Sequence, residues 1–452
     1  MFTESERADG EIGSSFKSSY PRAVGGARRS GDAVLFEVFA DDADGAWLVG
    51  SFNGWGEQNP MERNEDGVFR TSLSISDISD GDAYKFKITE GGREKYVTDP
   101  YALEIDGYPN YNSVYRDFCG LSACDNENRI GCVDIPLNIY EIRDCRHGDG
   151  RAMSYAEIAQ EMPPYLMQMG YTHIAIGGAF EEFYDHAESR QGKAYFAPRK
   201  ADGGVNGFRE LVRAMHRLGI GVILDLEVHD IPKYAQKERF LVDCCLYWSD
   251  VFGVDGFLFN DREILSLAEA LKNKRPHVYF ISKNGDLSGE AVDAIIGDCD
   301  FCNLIPDKLR GDGHDVRLRM ISMAYNAFMN GKMITRMSSE SPRLELYTSD
   351  LNAIYISCES LWRQGRTTVE IADGNGCICG VECSYSDDKI ILLFNLSGSG
   401  RELLLPHDCA FEVLLDSLSQ AYGGNKADDK HPRRERIMLL PLEAVVLKKI
   451  KE

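Results

Sequence analysis

The alternation of strand-like and helix-like segments between about residues 136 and 337 constrains the fold of this 452-residue chain more than any other feature. Short apolar runs predict strands at 137–142, 172–176, 221–227, around 257, at 277–281 and at 332–337. Amphipathic segments predict helices at 155–169, 207–218 and 318–329, and Ser154 is a suitable N-cap for the first. Repeated strand–helix units build a parallel sheet, most simply a closed TIM-type (β/α) barrel.

The segments on both sides of this region predict antiparallel β structure. Alternating runs separated by Gly, Asn and Asp turns lie at 33–39, 46–50, 67–73 and 83–88, and similar runs return at 389–395 and 444–448. We therefore expect a multidomain α/β plus β protein. Its predicted parts are a flexible tail at 1–32, a β-sandwich at 33–118, a barrel at 119–370 and a C-terminal β-sandwich at 371–452.

The net charge and the cysteine content indicate which partners and which cellular compartment suit this chain. The net charge of −22 argues against nucleic acid or an anionic membrane as a partner, because both are polyanions. The N-terminal segment has no apolar signal core, so we expect a cytoplasmic protein. Thirteen cysteines spread over the chain suit reduced thiols. The CxxC pair Cys299 and Cys302 lacks a second pair of ligands, so we expect no metal, and no cofactor motif stands out.

Three motifs in the first β region resemble the family 48 carbohydrate-binding module, which precedes the catalytic part of glycogen branching enzymes. They are VGSFNGW at 49–55, YKFK at 84–87 and TDPY at 98–101. The resemblance implies that Trp55, Lys85, Tyr96 and Asn112 contact sugar. An exposed aromatic face can stack on a glucose ring while Lys and Asn bind its hydroxyls. The alternative interpretation is that Trp55 and Tyr96 fill the sandwich core.

The region after residue 136 resembles the barrel of glycoside hydrolase family 13, above all that of 1,4-α-glucan branching enzymes. The matching segments are 138–142, 165–174, 195–198, 219–225, 332–340 and 351–355, and the C-terminal tail matches at 394–396 and 422–424. Such enzymes retain the anomeric configuration. One carboxylate attacks the sugar, and a second carboxyl group serves as acid and base. A third carboxylate assists, surrounded by an Arg and two His.

The residues that carry this chemistry are replaced in the present chain. In the motif Gly-Phe-Arg-x-Asp, Leu258 stands at the Arg and Asn260 at the nucleophile. An amide is a poor nucleophile, and Leu cannot make the hydrogen bonds of Arg. Ser282 stands at the acid/base position, although a hydroxyl has no useful acidity near neutral pH. Loss of both groups leaves no retaining mechanism.

The remaining family motifs are partly kept. Asp225 is retained on the third strand, but His229 and Asp230 replace the Asn and His that follow it. The His-Asp motif of the seventh strand reads Pro306-Asp307, which leaves Asp307 as the third carboxylate, and Arg190 replaces a Tyr that lines the sugar site.

The barrel also lacks room for a complete set of strands. Only 24 residues separate Ser282 from Asp307, fewer than the ~30 of a βαβ unit. We therefore expect a barrel that is distorted or incomplete here, with a vestigial sixth strand at 294–296 or 300–304.

Three functions fit these residues. The leading hypothesis is a branching-enzyme-like pseudoenzyme that binds α-glucan polysaccharide or oligosaccharide and acts as a scaffold or regulator, with a protein partner in glycogen metabolism. The alternative is an active hydrolase or glucanotransferase with a rearranged carboxylate pair, drawn from Asp225, Glu227, Asp230, Asp261 and Asp307. The third is an interaction protein that does not bind glucan.

Overall fold

The fold was analysed in a computed structural model of the chain. It describes residues 26–117, 135–143, 151–186, 188, 190–226, 231–259, 268, 271–282, 294–295, 316–330, 333–336, 341–373, 378–405, 409–427 and 431–450. Among these residues, no helix is long and apolar enough to cross a membrane.

The N-terminal part is a β-sandwich, as predicted. Its strands are β1 (Gly26–Ser30), β2 (Ala33–Phe39), β3 (Gly45–Gly50), β4 (Asn59–Pro60), β5 (Glu62–Arg63), β6 (Val68–Ser74), β7 (Ala83–Glu90), β8 (Arg93–Val97) and β9 (Ser113–Val114). One antiparallel sheet has the order β1-β2-β6-β5, and the other has the order β4-β3-β7-β8, with β9 also paired to β7. Both sheets turn alternate apolar residues inward, for example Phe36 and Phe86, into one buried cluster.

The predicted tail at 1–32 is too long at its C-terminal end. Residues 26–30 form β1, which pairs antiparallel with β2. The sequence GARRS has no apolar alternation, so the pattern that reveals the other strands is missing. Tertiary contacts compensate, because Arg28 forms an ion pair with the buried Glu37 at 3.2 Å.

The central part contains a seven-stranded, all-parallel sheet with the order β17-β16-β15-β14-β11-β10-β18. Its strands are β10 (Asn138–Ile142), β11 (His173–Ile176), β14 (Gly221–Asp225), β15 (Gly256–Phe259), β16 (Tyr279–Ser282), β17 (Ala294–Ile295) and β18 (Met333–Arg336). Every strand predicted between residues 137 and 337 is therefore present, with bounds that differ by a few residues at most.

The sheet is open among the described strands, because β17 and β18 are its two edges. The vestigial sixth strand is β17, at the first of the two predicted places, and it pairs with β16 through only two residues. The parallel sheet is thus compatible with the predicted incomplete barrel. The Pro306-Asp307 segment expected at the seventh strand lies outside the described residues.

Helices cover one face of this sheet and leave the other face to a smaller apolar cluster. The described helices of the chain, of which the last packs on the C-terminal sheet, are α1 (Tyr155–Gln168), α2 (Gly204–Arg217), α3 (Lys237–Tyr247), α4 (Val316–Asn330), α5 (Pro342–Ser357) and α6 (Glu359–Trp362). Ser154 caps α1 as predicted, in a capping box with Glu157. On the helix face, Phe257 and Phe280 join a large buried cluster. On the inner face, Ile223, Leu258 and Ile281 join a smaller one.

An antiparallel hairpin, absent from the predicted pattern, leaves the central sheet and lies against the N-terminal sandwich. It consists of β12 (Phe180–Asp185) and β13 (Arg190–Pro198). Phe183 and Ala194 of the hairpin form a buried cluster with Ala102 and Ile105 of the sandwich. We call the segment 180–198 the docking hairpin.

The C-terminal part contains an antiparallel sheet of the order β19-β20-β21-β25-β23 and a two-stranded sheet of β22 and β24. The strands are β19 (Thr367–Ala372), β20 (Ile378–Tyr385), β21 (Asp388–Asn395), β22 (Arg401–Leu404), β23 (Phe411–Asp416), β24 (Arg436–Leu439) and β25 (Glu443–Lys449). One face of the larger sheet packs on α4 and α5, and the other packs on β24. Cys244, Cys245, Cys358 and Cys383 are buried free thiols.

Candidate functional site

The turn after β3 holds Trp55 at the surface. Asn53 accepts a hydrogen bond from the Gly50 amide, and its side-chain amide donates to the carbonyl oxygens of Leu48 and Gly56. These bonds close a tight loop in which Gly54 and Trp55 both have left-handed backbone conformations, with φ of 59° and 63°. Glycine tolerates that conformation, whereas a Trp adopts it only where the surrounding bonds enforce it.

The four predicted sugar-contacting residues lie around a single open cleft. Trp55, Lys85, Tyr96 and Asn112 line a cavity of about 620 Å³. That volume falls within the roughly 300–1,000 Å³ of small-molecule sites. The remaining wall is formed by Pro109, Asn110 and His186. The structure therefore brings together residues that are far apart in sequence and that the resemblance had named one by one.

The two aromatic side chains do not fill the sandwich core, so the alternative interpretation is wrong. Trp55 is 39% exposed and Tyr96 is 45% exposed. Tyr96 lies on β8 directly opposite Lys87 of β7. Exposed rings on a firmly hydrogen-bonded frame can stack on the apolar face of a sugar at little entropic cost.

Lys85 and Asn112 form the polar floor of the cleft. Lys85 is only 6% exposed, and its Nζ donates to the Asn110 carbonyl oxygen at 2.8 Å. Burial lowers the pKa of Lys85, while the carboxylates of Asp185 and Asp106 act to raise it. Asn112 donates from its side-chain amide to Asp106 Oδ2 at 2.8 Å, which fixes the orientation of that amide. The floor thus presents fixed polar groups beneath two exposed rings.

A second group of polar residues lies at the carboxyl edge of the parallel sheet, where barrel enzymes place their chemistry. Asp225 ends β14, and its Cα is in register with Leu258 of β15. Paired residues share a face, so Leu258, at the expected Arg position, lies beside Asp225 and joins the inner apolar cluster. The position at which the family has Arg is therefore occupied by Leu258 in apolar surroundings.

Arg143, which follows β10, supplies a cation at this edge. Its Nε donates to Glu141 Oε1 at 3.0 Å, and a terminal nitrogen donates to Asp225 Oδ2 at 3.1 Å. Glu141 and Asp225 are 1% and 4% exposed, whereas the Arg143 side chain is 45% exposed. The guanidinium thus covers two buried carboxylates from the solvent side.

Ser282 does not converge with these residues. It pairs in register with Phe259, while Asp225 and Leu258 are in register with Ile281. Because side chains alternate along a strand, Ser282 lies on the helix face, on the same side as Phe280. It is fully buried there. The predicted equivalence of Ser282 to an acid/base group that faces the inner side of the sheet is therefore not supported by its register.

The other predicted positions of this site, Asn260, Asp230, Pro306 and Asp307, lie outside the described residues. The same holds for His229 and for the alternative carboxylates Glu227 and Asp261. Within the described part, a cavity of about 40 Å³ lies beside Arg143, between Tyr155 and Arg199. That volume holds roughly one water molecule and no sugar ring.

The aromatic cleft on a β-sandwich, next to an open parallel sheet, is the architecture of a carbohydrate-binding module followed by an α/β region that is compatible with a partial barrel. Residues 25–102 match the model of carbohydrate-binding module 48 (isoamylase N-terminal domain). The predicted presence of this module is confirmed.

The particular relatives are 1,4-alpha-glucan branching enzymes. The chain is 30% identical to GlgB of Bacillus subtilis (strain 168) over 49% of this chain and 42% of that protein. It is 34% identical to GlgB of Jannaschia sp. (strain CCS1) over 51% of this chain and 39% of that protein. The predicted resemblance to branching enzymes is confirmed, and the chain spans less than half the length of these relatives.

Solved pullulanases share the fold over almost the whole chain. A type I pullulanase of Bacillus subtilis str. 168, complexed with maltose, superposes with a TM-score of 0.70 at 14% identity, over 96% of this chain and 86% of that one. A pullulanase of Anoxybacillus sp. LM18-11, complexed with maltotetraose, gives 0.69 at 13% identity, over 95% and 88%. At these identities the likeness concerns the fold alone.

Sequence reasoning missed one side of the cleft. His186 belongs to the docking hairpin, and its neighbours on the wall, Pro109 and Asn110, belong to the loop before β9. The Pro-Asn pair signals a loop, but nothing in the pattern connects it with a histidine 77 positions away.

Proposed function

We propose that this chain binds α-glucan in the cleft formed by Trp55, Lys85, Tyr96 and Asn112, and that it carries out no glycosyl transfer at its parallel sheet. The observation that carries the binding proposal is the convergence of these four residues on one open cleft of about 620 Å³. The module match and the maltotetraose and maltose complexes of the pullulanases support the same ligand class.

The proposal of inactivity rests on the carboxyl edge of the sheet. A retaining enzyme needs one exposed carboxylate to attack the sugar and a second carboxyl group to transfer the proton. Glu141 and Asp225 are buried behind Arg143. The sequence has Asn260 where the family has its nucleophile, and Ser282, which aligns with the acid/base, is buried on the helix face of the sheet. We place the protein in glycogen metabolism as a scaffold or regulator in the cytoplasm, in line with its buried free thiols.

Affinity gel electrophoresis tests the binding proposal. Glycogen or amylopectin in the gel should retard the wild-type chain, and Trp55→Ala should weaken the apparent affinity by about 30-fold, the loss typical of a central aromatic contact. The matched control is Glu62→Ala, an exposed residue on β5 of the opposite sheet, which should migrate like the wild type. Wild-type migration unaffected by glucan would favour an interaction protein without glucan affinity.

An iodine-stain branching assay on amylose tests the proposed inactivity on the same preparations. We expect no change in the stain after prolonged incubation with pure wild-type chain. A loss of stain that Asp225→Asn abolishes would overturn this part and would favour an active enzyme with a rearranged carboxylate pair.

A further inference from the structure

The docking hairpin places His186 in the wall of the sugar cleft, although the hairpin belongs to the central part of the chain. The His186 ring nitrogen Nε2 lies 3.0 Å from the Pro109 carbonyl oxygen. A carbonyl oxygen only accepts, so Nε2 carries the proton in this contact. In the neutral ring the other nitrogen, Nδ1, is then an acceptor. His186 therefore offers the cleft a hydrogen-bonding group that the module does not contain.

The hairpin is attached to the module by both apolar and charged contacts. Phe183 is buried in the shared cluster with Ala102 and Ile105. At the tip, Glu188 forms an ion pair with Lys95 of β8 at 3.3 Å. Asp185 lies close enough to Lys85 on the cleft floor to raise its pKa, against the larger lowering by burial. These contacts fix the position of His186 relative to the cleft floor.

An exposed aromatic ring extends this wall along the hairpin. Tyr184 is 37% exposed, and its ring centroid lies 5.1 Å from that of His186. The Tyr111 ring centroid also lies 6.1 Å from that of His186. Trp55 and Lys85 likewise place an exposed ring beside a fixed hydrogen-bonding group, there a donor, and such a pair suits the apolar face and the hydroxyl rim of a glucose unit.

We propose that His186, with Tyr184 beside it, forms an additional sugar-binding position of the cleft, so that a glucan chain held by the module also contacts the central part of the protein. This inference rests on the proposed glucan binding. The Nδ1 atom accepts a hydrogen bond from a glucose hydroxyl, and the Tyr184 ring packs against the neighbouring unit. Longer oligosaccharides therefore gain a contact that short ones, held between Trp55 and Tyr96, do not reach.

Isothermal titration calorimetry of the full chain with maltotriose and maltoheptaose tests this position. His186→Ala should weaken maltoheptaose binding by about fivefold, the equivalent of one net hydrogen bond of about 1 kcal/mol. Maltotriose binding should change by less than about twofold. His186→Gln keeps a donor for the Pro109 carbonyl and an acceptor for sugar, so it should restore most of the affinity. Glu182→Ala, an exposed change on the same hairpin, is the matched control.

The outcomes separate this inference from the proposed function. If Trp55→Ala removes binding of both sugars while His186→Ala behaves like Glu182→Ala, the additional position is refuted and glucan binding stands. If the wild-type chain binds neither sugar, the proposed function itself fails. Equal losses for the two sugars in His186→Ala, without rescue by His186→Gln, would assign His186 a structural role and would also overturn the inference.

Discussion

The aromatic cleft of the module and the carboxyl edge of the parallel sheet hold their polar groups in opposite ways. In the cleft, Lys85 and Asn112 are held by neighbouring groups beneath two rings that remain exposed. At the sheet edge, Glu141 and Asp225 are paired with a shared guanidinium and are withdrawn from solvent. A family resemblance extends over both regions, and among the residues that the structure describes the accessible aromatic and polar groups that lie together are those of the first region.

Two buried aspartates sharpen the contrast. Asp99 is buried inside the module and accepts hydrogen bonds from uncharged donors, the Tyr84 hydroxyl at 2.5 Å and the Tyr101 amide at 2.8 Å. Asp225 has a cation, Arg143, as a partner. In the module, uncharged donors thus hold the buried Asp99, whereas at the sheet edge the buried Asp225 forms an ion pair with Arg143. Three substitutions test this difference between the two regions. They are given from the largest expected effect to the smallest.

The largest effect is expected for Ser282→Glu, which restores a carboxyl group at the aligned acid/base position. The residue is fully buried on the face of Phe280, so the new carboxylate would lose its hydration beside a large apolar cluster. We expect the local free energy of unfolding to fall by about 3 kcal/mol or more. Amide hydrogen exchange in peptides that span 278–282 measures this loss.

The control for that substitution is Ser282→Ala, which removes only the hydroxyl and should cost about 1 kcal/mol. The contrary outcome is a Ser282→Glu variant that is as stable as the wild type and produces branching in the iodine assay. The sheet edge would then need only one further carboxyl group for catalysis, and its contrast with the module would not hold.

The second-largest expected effect is a pH dependence of stability that arises from Asp99. Burial raises the pKa of Asp99 to about 6, and the hydrogen bonds from Tyr84 and from the Tyr101 and Ala27 amides only partly oppose it. An unfolded Asp titrates near 3.9, so the folded state binds the proton more tightly. The stabilisation that comes from Asp99 is therefore fully present below about pH 4 and is lost as the pH rises through about 6. The free energy of unfolding falls by up to about 3 kcal/mol over this range.

Asp99→Asn removes the titrating carboxyl group and tests whether Asp99 causes the pH dependence. Exchange protection of peptides from β7, corrected for the intrinsic rate, should fall between pH 4.5 and pH 7 in the wild type and should show a smaller change in the variant. The variant is expected to lose part of the stability that the wild type has at low pH, because its amide has one accepting oxygen where the carboxyl group accepts hydrogen bonds on both. A pH dependence identical in the two proteins would assign the effect to other groups.

Most of the fold could be predicted because its elements carry periodic apolar patterns. The strand at Ala33–Phe39 and the helix that begins at Tyr155 were predicted at the right positions, since alternation and the Ser154 cap are local signals. The strand at Gly26–Ser30 has no such pattern and depends on its partner strand and on Glu37. Tertiary pairing, which the sequence does not display, decides such segments.

The candidate site shows the same division between local and long-range information. Motifs could name Trp55, Lys85, Tyr96 and Asn112, because the resemblance fixes them one by one. His186 could not be found in this way, since its place depends on how the docking hairpin packs on the module. The face of Ser282 depends on the register of β15 and β16, and a shift of one residue reverses that face.

The smallest effect is expected for Arg143→Ala, and it bears on the sheet edge alone. Removing the guanidinium leaves two carboxylates with 1% and 4% exposure without their shared cation. Breaking a buried pair costs about 3–5 kcal/mol, but Arg143 is itself 45% exposed, so solvent screening reduces the expected loss to about 1–2 kcal/mol. Hydrogen exchange in peptides covering β10 and β14 measures it, and glycogen retardation should be unchanged.

A double-mutant cycle with Asp225→Asn decides whether the ion pair is the cause. Asp225→Asn removes one of the two charges that Arg143 compensates, so Arg143→Ala should cost less in that background, with a coupling free energy of about 1 kcal/mol. Additive losses would mean that Arg143 stabilises the edge by packing alone. Weakened glycogen binding in Arg143→Ala would break the contrast in another way, because it would mean that the sheet edge contributes to the sugar site and that the two regions form one functional surface.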